Sequence, residues 1–391
     1  MSNASGDPGL GGSPTASLHG ATPSTGLPDL DRALDGLYWG DNVVWQPEHA
    51  GDAQPFYAAI AGLSERYDRA AHVSLAGAVD GYAGFEALDA GPTSPLARPG
   101  PLLEAIRKRC AVGTRNLLLF DPLDGMAERW GVEQASRFFV RCCPMLLELG
   151  AIAYWSLGHN ERYERLRRDV EDVTQCVIVI RDGRLRIAKA EGRPVGVQGS
   201  VYHYRESAGV PVLREAPAAA RLGSALRSVR LQRQLSQAQL AQLAGVSASA
   251  ISQAERGQRG LSLDTLLTLT ANLHITVDEL LRGRVSVGYR LGRRDDPAAA
   301  PTGAPMALLD DPEAGLRTYL VRLAPGASAT PDIEHKGIEL VAVVAGLVQV
   351  VLTSGRPVLR QGEALLADRS SIREWRNIAQ RPASLFWIIR D

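Results

Sequence analysis

The spacing of hydrophobic positions changes twice along the chain and divides it into three regions. Between about residues 27 and 205, continuous apolar runs alternate with segments whose apolar residues recur at helical spacing. The clearest runs are NLLLF at 116–120 and CVIVIR at 176–181. Continuous apolar strands separated by helices indicate a parallel sheet that is covered on both faces. The first region is therefore predicted to be an α/β domain.

The middle and last regions have different patterns. Residues 221–283 show apolar residues at helical spacing only, which predicts an all-α domain. Residues 306–391 consist mostly of short β-like runs, separated by turn signals such as Gly346 and Gly355. Regular short strands between such turns predict a barrel or a sandwich. The expected architecture is therefore multidomain: an α/β parallel sheet, then a group of helices, then an all-β barrel or sandwich.

Three further segments lack hydrophobic periodicity and mark the domain boundaries. Residues 1–26 are rich in Gly, Ser, Pro, Ala and Thr, which predicts a disordered tail and not a signal peptide. The stretches 206–220 and 284–305 are rich in Ala and Pro, as linkers usually are. The three domains are thus expected at 27–205, 221–283 and 306–391.

The charge and cysteine content exclude several classes of protein. Lys plus Arg and Asp plus Glu both number 43, so a uniformly basic coat for nucleic acid is excluded and any DNA contact must be a local patch. The four cysteines have no zinc-binding spacing and are expected to be free thiols in a reducing cytoplasm. No apolar run approaches the roughly 18 residues of a membrane span. A cytoplasmic protein without membrane contact is expected.

The most informative segment lies in the middle region. Ser236 precedes a helical pattern and has Gln239 three residues later, which is close to the pattern of a capping box. Gly245 permits the left-handed turn that ends this helix, and Ser247 is placed to cap the next one. A second helix of short polar residues, a few residues after the first, fits the major groove of DNA.

The run LSQAQLAQLAGVSASAISQAERG at 235–257 resembles the helix-turn-helix of the lambda-repressor/Cro-like family, the Xre-type regulators. The resemblance implies five helices, a recognition helix at about 248–255 and a phosphate contact by Gln237. The residues that it directs to the bases are Ser247, Ser249, Ser252 and Gln253, and those that it places near phosphates are Arg256, Gln258 and Arg259.

Local charge agrees with this interpretation. Residues 221–282 carry seven Arg against four carboxylates, a net charge of about +3 inside a neutral chain, which suits counterion release from DNA. A small helical bundle used for protein contacts is the alternative interpretation. Salt-dependent DNA affinity would distinguish the two.

Both ends of the first region resemble RecA-like ATPases of the circadian-clock KaiC type, through GLPDLDRALDGLYWG at 26–40 and CVIVIRDGRLRIAKAEGRPVGVQGSVYHY at 176–204. This resemblance implies a RecA-like fold for residues 27–205. It also implies a phosphate-binding loop of the form G-x-x-x-x-G-K-[ST], whose lysine contacts the phosphates of the nucleotide.

That loop is missing here. The chain reads QPEHAGDAQPFY after Trp45, no lysine precedes Lys108, and Glu48 and Asp52 place negative charge where a triphosphate would lie. Asp121 stands either at the position of a Walker B aspartate or simply at the end of a strand, and we favour the second interpretation. A RecA-like domain that does not hydrolyse ATP is expected, retained for assembly or for sensing another ligand.

The last region has the spacing of the two cupin motifs, G-x5-H-x-H-x(3,4)-E-x6-G and G-x5-P-x-G-x2-H-x3-N, counted from Gly326 and Gly362. This resemblance implies a small cupin barrel. The positions that carry metal ligands in cupins hold Asp332, Glu334, Glu339 and Arg373.

The residue types at these positions favour a salt-bridge network over a metal site. Cupins bind Fe, Mn or Zn through neutral imidazoles, which suit such metals. The guanidinium of Arg373 cannot coordinate a metal but can pair with carboxylates. We therefore expect Arg373 to face Asp332, Glu334 or Glu339. His335 is one residue out of register with the motif, which would turn it to the other face of a strand.

Together these features predict a sequence-specific, DNA-binding transcriptional regulator of a bacterial type, flanked by sensory or assembly domains. It is expected to bind double-stranded DNA as a homodimer, to respond to a small-molecule effector and to use no metal or other cofactor. The alternative is an enzyme, either an atypical nucleotide-dependent ATPase or a metal-independent cupin catalyst. No Ser/His/Asp or Cys/His arrangement in the sequence supports that alternative.

Overall fold

The computed structural model shows three folded regions in the order that the sequence predicts. The residues that it describes are 22–49, 51–76, 82–110, 113–194, 196–207, 209–277, 280, 289–292, 302–312, 314–333, 335, 337–368 and 370–391. Residues 1–21 of the tail expected at 1–26 lie outside the described residues. Most of the linker expected at 284–305 also lies outside them.

The first region is built on a nine-stranded sheet in the order β3-β2-β4-β5-β1-β6-β7-β8-β9. Its strands are β1 (Asn42–Pro47), β2 (Arg69–Ser74), β3 (Glu86–Asp89), β4 (Asn116–Phe120), β5 (Ile152–Ser156), β6 (Cys176–Arg181), β7 (Arg184–Ala190), β8 (Val201–Ser207) and β9 (Val210–Glu215). Its helices are α1 (Pro28–Leu34), α2 (Gln54–Ala61), α3 (Pro99–Arg109), α4 (Leu123–Trp130), α5 (Val132–Glu148) and α6 (Glu164–Val173).

Strands β1 to β6 pair in parallel, and β6 to β9 continue the sheet as antiparallel neighbours. Alternate residues of the parallel strands enter two separate cores. Val44 and Trp155 pack toward α3 to α6, whereas Trp45 and Tyr154 pack toward α1 and α2. Strands buried on both faces explain the continuous apolar runs of the sequence, and the predicted α/β parallel sheet is confirmed.

The stretch 206–220 differs from the expected linker. It contains the end of β8, the edge strand β9 and the start of helix α7 (Ala218–Gln232). Leu213 is buried in the second core of the sheet, and its N–H donates to Asp29 Oδ2 at 3.2 Å. Two alternating buried positions are too few to produce a clear periodicity in an Ala- and Pro-rich segment. The strand is therefore defined by its pairing with β8.

The middle region contains α7, α8 (Gln237–Ala244), α9 (Ala248–Glu255) and α10 (Leu263–Leu273). The four helices meet around Leu226, Leu240, Ile251 and Leu269, each fully buried. Helices α7 and α9 pack closely at Gly223 of α7. A β-carbon added at this position would lie 2.1 Å from the carbonyl oxygen of Ala254, so only glycine fits without a shift.

The last region is an all-β fold of two sheets, as predicted, in the orders β10-β11-β18-β13-β16 and β12-β17-β14-β15. Its strands are β10 (Met306–Asp311), β11 (Leu316–Leu323), β12 (Ser328–Ala329), β13 (Ile338–Ala345), β14 (Leu347–Leu352), β15 (Val358–Arg360), β16 (Ala364–Ala367), β17 (Ile372–Asn377) and β18 (Ala383–Arg390). The core between the sheets includes Trp375 and Trp387, both fully buried.

Two further expectations concern the surroundings of the chain. Among the described residues, no helix is long and apolar enough to cross a membrane. The four cysteines are free and buried, at Cys110, Cys142, Cys143 and Cys176.

We expect Gly223→Ala to destabilise the middle region, because the added methyl group would clash with the carbonyl of Ala254. Overpacking of this kind costs roughly 1–3 kcal/mol. Urea unfolding followed by circular dichroism measures the loss, with Ser224→Ala on the same helix as control, expected to change the free energy of unfolding by less than about 0.5 kcal/mol. Equal stability of the two variants would contradict the close approach of α7 and α9.

Candidate nucleic-acid interface

Local capping fixes where α8 begins and ends. The Ser236 hydroxyl accepts from the Gln239 N–H at 3.1 Å, and Gln239 Oε1 accepts from the Ser236 N–H at 2.8 Å, which completes the predicted capping box. Gly245 follows the helix with φ of 67°, a left-handed conformation that costs glycine little. The signals read from the sequence at both ends of this helix are confirmed.

Helix α9 begins directly after the turn and exposes a polar face. Ser247 caps it by accepting from the Ala250 N–H at 3.1 Å. Ile251 and Ala254 are buried against the neighbouring helices. On its other side, Ser249 is exposed and Gln253 is partly exposed. The helix is thus anchored on one side and offers hydrogen-bonding groups to solvent on the other.

A buried carboxylate holds α9 against α7 and α8. Glu255 is only 8% exposed and accepts from Arg230 Nε at 2.6 Å and Arg230 Nη2 at 3.1 Å. Gln237 Nε2 donates to the same carboxylate at 2.9 Å. Arg230 lies on α7 and Gln237 begins α8, so one side chain joins three helices. Charge-assisted bidentate contacts of this type are strong and directional.

Most of the sequence-assigned contact residues are exposed. Ser252 is partly exposed, and its hydroxyl accepts from Arg256 Nη2 at 2.9 Å. Gln237 is partly buried, with its amide nitrogen directed to Glu255. The fully exposed members of the set are Ser247, Ser249, Arg256, Gln258 and Arg259.

The segment after β1 contains two carboxylates, Glu48 and Asp52, that have polar partners. Glu48 Oε1 lies 3.0 Å from Arg181 Nε at the end of β6. The Asp52 carboxylate accepts from the His49 N–H at 3.0 Å. Helix α2 then begins at Gln54. Two carboxylates thus lie in the segment where a phosphate-binding loop would supply lysine and backbone N–H groups.

Asp121 lies at the carboxyl edge of the sheet, beside the neighbouring strands β2 and β4. The chain runs from β2 to β3 on one side of this position and from β4 to β5 on the other. Ligands of open α/β sheets bind in such crevices. Asp121 accepts from His72 Nε2 at 2.9 Å and from the Leu75 N–H at 2.6 Å. Burial raises the pKa of Asp121, but these hydrogen bonds outweigh burial and lower its pKa overall. A cavity of about 560 Å³ opens beside Asp121, lined also by Glu128 and Arg129.

The interior of the barrel holds a carboxylate, Glu339, whose described partners include no arginine. Glu339 is 2% exposed, and it accepts from the Ile372 N–H at 3.1 Å and from Trp387 Nε1 at 2.9 Å. His335 Nε2 lies 3.5 Å from Glu339 Oε1. The carboxylate thus accepts hydrogen bonds from a backbone N–H and an indole N–H, and an imidazole lies beside it.

Arg373 does not face Glu339, one of the three carboxylates that it was expected to pair with. Arg373 lies exposed on β17 directly after the inward-facing Ile372, because side chains alternate along a strand. Asp332 is also exposed, and Glu334 lies outside the described residues. Of the four motif positions, only Glu339 is shown to enter the barrel.

His335 and Trp375 are interior polar residues that the sequence analysis missed. His335 was expected on the outer face, but it precedes β13 in a non-strand segment, so strand alternation does not apply to it. His335 Nδ1 and Trp375 Nε1 are buried, and neither has a hydrogen-bond partner among the described residues. The signal available in the sequence was the spacing of His335, which stands four positions before Glu339.

The described residues of the barrel do not fit the metal that the cupin resemblance implies. Both oxygens of Glu339 already accept hydrogen bonds, and His335 adds only one nitrogen. Within the described part of the chain, no group of three or more His, Cys, Asp or Glu side chains could hold a metal ion.

Comparisons with known proteins identify two domains. A helix-turn-helix family model matches residues 226–280, and a cupin domain model matches residues 319–389. The chain therefore contains a helix-turn-helix domain and a cupin domain. No curated protein matches the chain.

Solved structures similar to this chain include regulators and an enzyme. A helix-turn-helix family transcriptional regulator from Vibrio cholerae is 20% identical over 44% of this chain and 96% of its own, with a TM-score of 0.21. The cupin domain of an XRE family transcriptional regulator from Enterobacter cloacae is 21% identical over 22% and 95%, with a TM-score of 0.21. Hydroxypropylphosphonic acid epoxidase from S. wedmorenis is 16% identical over 44% and 97%, with a TM-score of 0.21. These values establish no function for this chain.

We expect Glu339→Leu to destabilise the barrel, because it leaves the N–H groups of Trp387 and Ile372 buried without an acceptor. Each lost acceptor costs about 1–3 kcal/mol. Thermal unfolding followed by tryptophan fluorescence measures the effect. Arg373→Leu is the control and should change stability by less than about 0.5 kcal/mol, because Arg373 is exposed. A comparable loss of stability in both variants would instead support a salt-bridge network centred on Arg373.

Proposed function

We propose that this protein is a sequence-specific transcriptional regulator that binds double-stranded DNA as a homodimer. The helix-turn-helix domain is the DNA-binding part, and α9 is its recognition helix. The α/β domain and the cupin domain are sensory or assembly domains. The protein is proposed to work in the cytoplasm and not as an enzyme.

The polar face of α9 carries this proposal. Ser249 and Gln253 stand on the side of the helix opposite the buried Ile251, and Glu255 fixes the helix on its neighbours. Rigid support matters because a base contact needs both hydrogen bonds in place, and a glutamine can address adenine in that way. Exposed Arg256 and Arg259 follow the helix and supply the phosphate contacts.

The cupin interior is the proposed effector site. His335 Nδ1 and Trp375 Nε1 are polar groups in the core without a protein partner among the described residues. Burying unpaired polar groups is costly, and hydrogen bonds to a small polar ligand would remove that cost. The α/β domain is proposed to retain a RecA-like fold that assembles or senses a ligand without hydrolysing a nucleotide.

We expect Gln253→Ala to relax base preference at one position in each half-site, because a bidentate contact discriminates by about 1–3 kcal/mol. Arg259→Ala should weaken binding to all sequences similarly and reduce the salt dependence, since a phosphate contact carries no sequence information. DNA fragments selected from sheared genomic DNA, titrated at several salt concentrations by fluorescence anisotropy, provide the measurement.

The matched control is Gln232→Ala, which removes an exposed glutamine at the end of α7. Selected fragments should contain two half-sites about 34 Å apart, as a two-fold symmetric dimer requires. Wild-type affinity and salt dependence in both Gln253→Ala and Arg259→Ala would show that α9 is not the recognition helix. DNA affinity absent at every salt concentration would favour a protein-binding role for the helical domain.

We expect no ATP hydrolysis by the α/β domain. The segment between Trp45 and Phe56 has no lysine, and Glu48 and Asp52 oppose a triphosphate. Release of inorganic phosphate from Mg-ATP, measured with malachite green, should equal the buffer blank. Turnover above the blank that Asp121→Asn abolishes would overturn this prediction and support the ATPase alternative.

A further inference from the structure

The antiparallel end of the nine-stranded sheet carries a row of basic side chains that crosses four strands. Arg181 of β6 stands opposite Arg184 of β7 in the strand register. His203 of β8 stands opposite Arg184 on one side and opposite Arg214 of β9 on the other. Residues directly opposite each other in antiparallel strands share one face of the sheet, with their β-carbons about 4.5–5.5 Å apart. The four side chains therefore form one continuous row.

Two more arginines widen this row. Arg186 lies two residues after Arg184 on β7, and Arg205 lies two residues after His203 on β8, so both point to the same face. We call Arg184, Arg186, His203, Arg205 and Arg214 the basic sheet face. Arg205 and Arg214 are exposed, and the other three residues are partly exposed. A binding partner can therefore reach all five side chains from solvent.

Carboxylates offset little of the charge on the basic sheet face. None of its four arginines forms an ion pair in the part of the chain that the structure describes. At the end of the row, Arg181 Nε lies 3.0 Å from Glu48 Oε1, whereas Glu215 at the end of β9 pairs with Arg221. Asp182, in the turn between β6 and β7, offsets only part of the remaining charge. Like charges that stand opposite each other destabilise a sheet, so a bound anion would stabilise this face.

The basic sheet face lies beside the helix-turn-helix domain. Ala220 of α7 packs on Val201 of β8, two residues before the basic sheet face begins on that strand. Gly257 follows α9, and a β-carbon added at this position would lie 2.7 Å from the Cα of Ala220. The loop after α9, with the exposed Arg256 and Arg259, therefore lies close to β8 and to the basic sheet face.

Arg227 on α7 continues the positive charge from the sheet into the helix-turn-helix domain. Burial and then the charge of Arg181 lower the pKa of Arg227. Burial also lowers the pKa of Arg186, and the charge of Arg227 lowers it further against the opposing effect of Glu171. Charges affect each other's pKa in this way when they lie close together. The arginines of the sheet and of α7 thus form one charged surface.

We infer that the basic sheet face binds the phosphate backbone of the DNA duplex that flanks each half-site. This inference rests on the proposed function, because the helix-turn-helix domain must hold the duplex beside the sheet. It goes further by giving the α/β domain a direct contact with DNA. The contact adds affinity but no sequence information, since the phosphates are the same at every base pair.

The shape of the basic sheet face suits a duplex better than a small anion. Four strands about 4.8 Å apart place the ends of the row, Arg181 and Arg214, about 14 Å from each other. The phosphates of one DNA strand follow each other about every 3.4 Å along the axis, so the row is as long as about four of them. Guanidinium groups form bidentate hydrogen bonds with phosphate oxygens. An open row of this length matches a linear polyanion, whereas one small anion would leave most of the arginines without a partner.

The first test measures the binding of the full chain to two DNA duplexes by fluorescence anisotropy. The short duplex contains one selected half-site, and the extended duplex continues for about one helical turn beyond it at each end. Wild type should bind the extended duplex more tightly. The double variant Arg205→Gln, Arg214→Gln should reduce the slope of log affinity against log salt by about 2 on the extended duplex, because each lost phosphate contact removes about 0.9. Its binding to the short duplex should not change.

The matched control removes two exposed cations elsewhere, through Arg107→Gln and Lys108→Gln on α3. Helix α3 follows β3, which forms the edge of the sheet opposite β9. The control should behave as wild type on both duplexes. Equal affinity and equal salt slope of the two double variants on the extended duplex would overturn the inference. That result is expected if the basic sheet face binds an acidic protein segment instead of DNA.

A second test leaves every charge of the basic sheet face in place. Val212 stands opposite Arg205 on this face and is 39% exposed. Val212→Cys, coupled to a photoreactive group, should crosslink to the extended duplex, and the four native cysteines are buried. Val140→Cys is the matched control, because Val140 is also 39% exposed but lies on α5. Crosslinking from neither position, or equally from both, would contradict docking at this face.

The short duplex separates this inference from the proposed function. A wild-type protein that binds neither duplex would refute the proposed function, and this inference with it. A wild-type protein that binds both duplexes with the same affinity and the same salt slope would refute only the contact between the α/β domain and DNA.

Discussion

The contact between Glu255 and its two partners is the constraint on which the proposed DNA-binding surface depends. Glu255 ends α9, Arg230 lies on α7 and Gln237 begins α8, so one buried carboxylate sets the angle among three helices. Removing one member of such a buried pair typically costs about 3–5 kcal/mol, because the other charge remains in the core. This contact therefore also fixes the orientation of the outward face of α9, which carries Ser249 and Gln253.

A buried carboxylate with several partners recurs in each domain. Asp41 and Arg193 form an ion pair in the α/β domain that is fully shielded from solvent, and Arg193 also lies 4.7 Å from the ring centre of Tyr38. In the barrel, Glu339 is held by neutral donors. Directional contacts of this type specify one arrangement of packed elements, which apolar packing alone leaves less well defined.

The helix-turn-helix domain and the barrel leave different kinds of group without a partner, and this difference divides their proposed roles. The helix-turn-helix domain exposes hydrogen-bonding groups, whereas the barrel interior holds buried polar atoms without protein partners among the described residues. Exposed polar groups suit a wet, charged DNA surface, and buried unpaired groups suit a small ligand.

Local rules were enough to read much of this protein from its sequence. The continuous apolar strands, the Ser236 capping box and the turn at Gly245 depend on neighbours within a few residues, and each is found as expected. The β9 strand and the inward position of His335 depend on pairing and on where β13 begins, which local spacing does not encode. The exposed position of Arg373 follows from strand alternation in β17, but motif spacing had assigned it to the interior. The sequence therefore determined the order and type of the elements, whereas long-range packing decided which polar side chains meet, because those partners lie far apart along the chain.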